Sequence, residues 1–359
     1  MRGWRLERRV SPSAFWSASV TTFSILAALA LGGLLMALMD VNPAKAYFEI
    51  LRGSLGSWYG FGETIVKAIP ITLTGLACVL AFRAAIWNIG AEGQLIVGAL
   101  AATAFVRYSH IENSFGILCG MFAASGIAGG LWGAIPGFLK GKWNVNEIIA
   151  TLMGNYIALC LMDFLLYGAW KDPMSMGFPM TAPFPPGARL WVFAGRLHAG
   201  LFIALVMAVV IHATIGLTQW GFEIRVIGEN RKAAWYVGIG IMKNIVLVMF
   251  LSGAIAGLCG MSEVAGLHGR LSRGFSVGYG FTGVIVAWLA GLNALLLPFV
   301  AFLMGILLVG GDTLQVVMGL PLSSVQIFQG LILFCVLGGD IFRNYRLRRP
   351  HVTKRWEAA

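Results

Sequence analysis

Long stretches of this chain carry no Asp, Glu, Lys or Arg, and that one feature restricts the fold more than any other. The stretches are Val10–Met39, Ala68–Phe82, Gly93–Val106, Asn113–Leu139, Ile148–Met162, Leu197–Phe222, Asn244–Ser262, Gly274–Gly311 and Thr313–Gly339. A helix that crosses a bilayer needs about 20 mostly apolar residues. The Gly274–Gly311 stretch is long enough for two passes, with a natural break at Gly291–Asn293 and Pro298 just beyond. The reading is therefore an all-α, polytopic integral membrane protein of about ten transmembrane helices. Three of them, near Ala68–Phe82, Gly93–Val106 and Phe281–Leu292, are short for a full crossing. Across the 359 residues only 11% are charged and 58% are hydrophobic, against roughly 25% and 45–50% in soluble domains. A soluble enzyme, a disordered tail and a coiled coil are excluded on that ground.

The net charge of +11 is read as a topology signal. Arg2, Arg5, Arg8 and Arg9 precede the first span, and Arg343, Arg346, Arg348, Arg349, Lys354 and Arg355 follow the last. Basic residues gather on the cytoplasmic side, so both termini are placed there, which an even number of spans satisfies. No nucleic-acid partner is needed to account for the charge. The first apolar run is too long for a signal-peptide core, so it reads as an uncleaved helix. A single transmembrane domain results, with a cytoplasmic N-terminal tail (1–16), a first repeat (65–170) and a Pro-rich, ordered but non-helical crossover outside (171–198). A cytoplasmic loop (221–243), a second repeat (244–341) and a basic tail (342–359) complete it.

The repeat rests on two segments. Asn88–Leu100 reads NIGAEGQLIVGAL and Gly278–Ala290 reads GYGFTGVIVAWLA. A shift of 190 residues brings Gly90 onto Gly280 and Gly93 onto Gly283, each pair followed by a short apolar helix. The first copy starts inside and the second outside, so the halves run in opposite directions, as in inverted-repeat transporters with interrupted helices. Unpaired backbone at such breaks is tolerated only against protein or a water-lined cavity.

Polar residues inside spans are costly and point to a path. Asn88, Glu92 and Gln94 surround the first break, and Asn155 and Tyr156 sit mid-span in TLMGNYIAL. Tyr279, Phe281 and Thr282 lie at the second break. Together with Trp87, these amides and aromatics suit a neutral ring compound with hydrogen-bonding groups better than an ion. Asp163, Asp312 and Asp340 read as helix ends, and Glu263 as the outer end of the seventh span. Cys78, Cys119, Cys160, Cys259 and Cys335 read as small buried hydrophobes. His110, His198, His212, His268 and His351 are scattered, so no metal site, catalytic residue or cofactor is assigned. With no GxxxxGK[ST], HExxH or Ser-His-Asp pattern, the chain is expected to leave ATP hydrolysis to something else. In Gly221–Lys243 an irregular start is followed by a short helix, capped by Asn230 and ended by Gly238 and Gly240, which a separate ATPase can grip.

NIGAEGQL, NEIIATLMGNYIAL, GENRKAAWYVGI and FTGVIVAWLAG occur in that order from about Ile65 to Ile341. The chain thereby resembles the permease subunits of bacterial ABC importers of the branched-chain amino acid and simple-sugar type. Within that group it most resembles the nucleoside branch that works with basic-membrane-protein-type binding proteins. The resemblance implies a ten-helix core in the bacterial inner membrane. It also implies a second permease subunit, cytoplasmic ATP-binding subunits and an extracytoplasmic substrate-binding protein docked around Lys171–His198 and Leu267–Tyr279. Gly228, Glu229, Asn230, Ala233 and Ala234, with Lys232, would form the helix that couples to the ATPase. Gly154 departs from the family pattern, where a larger apolar residue is frequent, and so do Arg231 and Lys232, where Pro or an acidic residue is frequent. The cargo implied is a nucleoside or related purine. The alternatives are a sugar or branched-chain amino acid permease and an ion-coupled secondary transporter.

Overall fold

The computed structural model describes residues 5–8, 13–109 and 111–321, and beyond these 323, 326–327, 330–332, 334–335, 338–339, 342 and 345–348. His110, Asp340, His351, two of the N-terminal arginines (Arg2 and Arg9) and most of the basic tail lie outside the described residues. Phe48–Leu320 form one compact unit, and Met1–Tyr47 with Pro321–Ala359 form another.

In the terminal unit, strand β1 (Arg5–Arg8) pairs antiparallel with strand β4 (Tyr345–Arg348), so that Glu7 stands opposite Arg346. Helix α1 (Ala14–Leu38) follows, with Ser13 Oγ accepting from Trp16 N at 3.2 Å. It occupies most of the first apolar stretch.

From Phe48 the large unit takes in the rest of helix α2 (Pro43–Leu55) and then α3 (Trp58–Arg83), α4 (Ala91–Tyr108), α5 (Ser114–Trp143) and α6 (Glu147–Tyr167). Strands β2 (Val192–Ala194) and β3 (Leu197–His198) form a small hairpin before α7 (Gly200–Leu217), α8 (Gln219–Glu229) and α9 (Arg231–Tyr236). Helix α10 (Ile241–Ser262) runs on through a π-type turn, Glu263–His268, and α11 (Tyr279–Leu289) and α12 (Leu297–Met318) complete the unit. Capping residues start several helices where the sequence supplies an Asn, Ser or Thr: Ser57 for α3, Asn113 for α5, Asn146 for α6 and Thr218 for α8. Each accepts from backbone N–H groups that would otherwise have no partner.

Among the described residues, six helices are long and apolar enough to cross a membrane: α3, α5, α6, α7, α10 with its π-type turn, and α12. A seventh arises if the bent pair α1–α2 counts as one. This is a multi-pass α-helical membrane protein. Ten separate crossings are not formed by the described residues, for identifiable reasons. Helix α11, with 11 residues, spans about 16 Å, half a hydrocarbon core. The last stretch, past residue 321, is described only in fragments.

Three expected boundaries are corrected. Helix α3 is not short: it starts ten residues before Ala68, because Glu63 and Lys67 stay inside it through ion pairs with Arg196 (3.1 Å) and Asp312 (3.9 Å). Asp312 does not end a span, since α12 continues past it to Met318 and ends at Gly319, whose φ is +67°. The Gly221–Lys243 loop does not start irregularly, because α8 covers Gln219–Glu229. Two of the cysteines, Cys119 and Cys160, are exposed rather than buried. The break between α11 and α12 falls where expected, with Gly291 and Leu292 both near φ +59° and Pro298 in the first turn of α12.

The core is built on α3 and α10, which pack on each other. Helix α3 also packs against α11 and α12, while α10 packs against α4 and α5. Each central helix is thus followed in the chain by a short helix that leaves it and covers the other. The α5–α10 crossing is closed by small residues: a Cβ at Gly129 would sit 2.8 Å from Gly257 Cα, and Gly133 and Gly253 are as tightly placed. Backbones that approach this closely gain van der Waals contact and need no hydrophobic force within lipid.

The segment between α6 and α7 is ordered and mostly non-helical, as its prolines require. It is stitched to the segment after α10 by Thr181 N to Leu271 O (2.9 Å), Phe184 N to Gly269 O (2.7 Å) and Leu190 N to Ala265 O (2.9 Å). The two loops expected outside therefore lie on the same side.

Candidate translocation site

Helices α4 and α11 begin on glycines, Gly90 and Gly278, and neither has a side-chain cap of its own. Both are capped instead from another helix. Asn155 of α6 accepts from Gly93 N at 2.8 Å and donates Nδ2 to Ile89 O at 2.9 Å. Glu92 of α4 accepts from Gly280 N of α11 at 2.7 Å and from Ser276 Oγ at 2.5 Å. The first turns of the two helices abut: a Cβ on Gly280 would collide with the backbone of Ala91 and Glu92. Two positive helix ends converge on one buried acidic side chain, which is the favourable placement for an anion.

Behind this junction lies an amide network. Asn88 Oδ1 accepts from Gly90 N (3.0 Å) and from Gln94 Nε2 (3.2 Å), while its Nδ2 donates to Gln94 Oε1 (3.0 Å) and Ser252 Oγ (2.8 Å). Ser252 then donates to Ala77 O of α3 at 2.6 Å. Asn88, Glu92, Gln94 and Asn155 are all buried. They are brought together with Gly90, Gly93 and Gly280, and every one of the four has protein partners. Gly283 packs on Thr74 and Gly75 of α3, and Thr74 Oγ1 donates to Tyr279 O at 2.9 Å. Tyr279 and Thr282 are buried on that side.

Tyr156 is not part of the cluster. One residue on from Asn155, it is turned about 100° around α6 and is 58% exposed. Phe281 is also partly exposed.

A cavity of about 300 Å³ opens beside the first break. It is lined by Gly90 and Gln94 from the junction, by Trp132, Pro136 and Leu139 of α5, and by Thr151 and Gly154 of α6. A Cβ on Gly154 would come within 3.4 Å of Trp132 Nε1, so a larger residue there would narrow the cavity. Nearby, Trp87 stacks on Trp288 (5.5 Å between centroids) and both approach Phe82. Trp87 keeps 38% of its surface exposed, and the buried Trp288 Nε1 has no acceptor.

The α8–α9 segment forms a second feature. Asn230 Oδ1 accepts from Lys232 N (3.0 Å) and Ala233 N (3.1 Å) and so starts α9. Gly238, at φ +79°, follows its end. Ala234 is buried, whereas Glu229, Asn230, Lys232 and Ala233 are exposed. Gly228 faces inward, where a Cβ would meet Arg83 O.

The sequence profile described as branched-chain amino acid transport system / permease component matches residues 60–337. The chain belongs to this permease family. It is 35% identical over 358 residues to the glucose ABC transporter permease protein of Haloferax volcanii, covering 96% of this chain and 93% of the relative. It is also 35% identical over 335 residues to the guanosine ABC transporter permease protein of Bacillus subtilis (90% and 94%). Against the nucleoside ABC transporter permease protein of Lactococcus lactis the identity is 28% over 332 residues (88% and 90%). The chain is thus an ABC transporter permease component.

Several side chains of this permease escape a reading of the sequence. Trp235 and Tyr236 form an exposed T-shaped pair on α9, but an aromatic pair in a short loop gives no signal of which way it faces. Ser252 and Ser276 complete the junction from far along the chain, and ordinary serines carry no mark of it. In the crossover, burial and repulsion from His268 push His198 down to about 4, and its Nδ1 accepts from Gly200 N at 3.2 Å.

Proposed function

We propose that this chain forms the translocation path of an ATP-driven importer for a nucleoside or related purine in a bacterial inner membrane. The observation that carries the reading is the meeting of α4 and α11 at Glu92, because two short helices that start from interrupted backbone are where a path is built between inverted halves. Exchange of packing partners between α3 and α10 supports two halves that rock against each other. Cytoplasmic ATP-binding subunits engage the α8–α9 segment through Glu229, Asn230, Lys232 and Ala233, with Trp235 and Tyr236 alongside. A second permease subunit and an extracytoplasmic binding protein complete the complex, the latter docking on the stitched loops 171–198 and 267–279.

The guanosine and nucleoside permeases among the relatives support a purine cargo, and the glucose permease supports a sugar. The exposed indole of Trp87, backed by Trp288, favours the first, since a flat base gains stacking on such a face. The test is uptake into proteoliposomes holding this permease, its ATPase and its binding protein. ATP-dependent accumulation of guanosine in excess of glucose is expected, and Trp87→Ala lowers it. Uptake of glucose alone overturns the cargo, and uptake with no ATPase overturns the mechanism. Ala233→Trp, on an exposed position, is expected to leave insertion intact and abolish uptake; normal uptake in that variant removes α9 from the coupling role.

A further inference from the structure

A second cavity, of about 330 Å³, lies away from the junction and plays no part in the proposed path. Arg83 at the end of α3, His212 of α7, Arg225 of α8 and Asn293 in the α11–α12 turn line it. Arg83 donates Nε and Nη2 to Leu292 O (3.2 and 2.8 Å), and Arg225 donates Nη1 to Ile215 O (2.6 Å). These bonds hold both guanidinium groups in place and leave their remaining N–H groups for the cavity. Among the described residues neither arginine forms an ion pair. The carboxylate closest along the chain, Glu223, accepts from Asn244 Nδ2 at 3.0 Å instead. Asn293 Oδ1 is taken by Leu295 N (3.0 Å), so its amide N–H groups are also available. The lining therefore offers donors and positive charge with no anion of its own. Two half-buried like charges repel strongly unless a counter-ion joins them.

The wall above the cavity says which anion fits. Helix α7 contributes His212 and Gly216 to the lining, and on its outer surface leaves Leu205, Val206, Val209 and Leu217 exposed. A free ion would use the arginines and ignore this apolar face. A phosphodiester carrying acyl chains uses both. The positive-inside reading places Arg83 and Arg225 at the cytoplasmic leaflet, where anionic lipids concentrate. Guanidinium groups match phosphate oxygens with paired N–H donors.

We propose that this cavity is a binding site for the phosphate headgroup of an anionic phospholipid, with the acyl chains lying along α7. The site is independent of the transported cargo. The test uses the full-length permease in a neutral detergent, with native mass spectrometry and thermal unfolding after addition of phosphatidylglycerol, phosphatidylcholine or inorganic phosphate. At about 1 kcal/mol per arginine, phosphatidylglycerol is expected to bind about 30-fold more tightly than phosphatidylcholine. Arg225→Gln lowers that preference about fivefold, and Arg225→Lys keeps most of it. Since Arg225 also ties Ile215 O, His212→Ala serves as a second variant that removes no backbone bond and still weakens the preference. Equal binding of the two lipids, or an unchanged preference in the Arg225 and His212 variants, overturns the proposal. Stabilisation by inorganic phosphate that equals and displaces the lipid overturns the lipid as its source.

Discussion

Asn155 and Tyr156 are neighbours in sequence, one buried and the other exposed, which makes Asn155→Ala a sharp experiment. Asn155 spends both ends of its amide on the first break, accepting from Gly93 N at 2.8 Å and donating to Ile89 O at 2.9 Å. Truncation orphans one N–H and one C=O in a buried setting, each costing about 1–3 kcal/mol. The adjoining cavity at Gly90, Thr151 and Gly154 can admit water to one of them, which brings the total to about 2–4 kcal/mol. At about 2 °C per kcal/mol for a large domain, the thermal midpoint falls by about 4–8 °C. Tyr156→Ala, on an exposed position, stays within about 0.5 kcal/mol of the parent. The assay is thermal unfolding of the purified permease in one detergent, followed by uptake measured at a temperature where every variant is folded. If Asn155→Ala unfolds with the parent and yet loses uptake, the side chain touches cargo and the bracing role argued here is wrong.

Two further perturbations probe separate parts of the molecule. Gly280→Ala drives a methyl group into the Ala91–Glu92 backbone and is expected to destabilise by about 1–3 kcal/mol or more; Gly62→Ala, where a Cβ meets nothing within 4 Å, is neutral or stabilising by up to about 1 kcal/mol. Equal expression and midpoints for the pair would remove the close approach of α4 and α11. His198 is held neutral, its site lowered from 6.5 to about 4, so the unfolded chain binds the extra proton between those values. Its contribution to stability is complete above about pH 6.5 and is lost as the pH falls toward 4. His198→Asn keeps an acceptor for Gly200 N but cannot titrate, so its midpoint declines less between pH 6.5 and 5 than that of the parent. Parallel declines would show that His198 does not carry the dependence.

Much of the architecture is legible from local chemistry. Gly291 and Pro298 mark the α11–α12 break, and Asn230 marks the start of α9, because turns and caps are decided within a few residues. Charge-free stretches locate the spans but misplace their ends wherever a charge finds a partner. Lys67 and Asp312 are each read as a boundary, yet each sits inside a helix because the other is within reach. Of the four glycines read as helix breaks, only Gly90 precedes a helix; Gly93, Gly280 and Gly283 lie inside α4 and α11, where the lack of a side chain admits a neighbouring backbone. The caps of α4 and α11 are not legible, since they come from residues 62 and 188 positions away and no spacing rule joins them. Nor does an arginine at a helix end announce that a second arginine, 142 positions on, faces the same cavity.

Borrowed caps also impose an order on biogenesis. Chain emerges from a ribosome at about 5–20 residues per second. Gly93 therefore waits about 3–12 s for Asn155, 62 residues later, to be made. During that interval the start of α4 has only water, lipid headgroups or an insertion machine to satisfy it. Helix α11 meets the reverse situation, because Glu92 has been in place long before Gly280 arrives. The first half is thus incomplete until α6 joins it, and the last short helix enters a receptor already built.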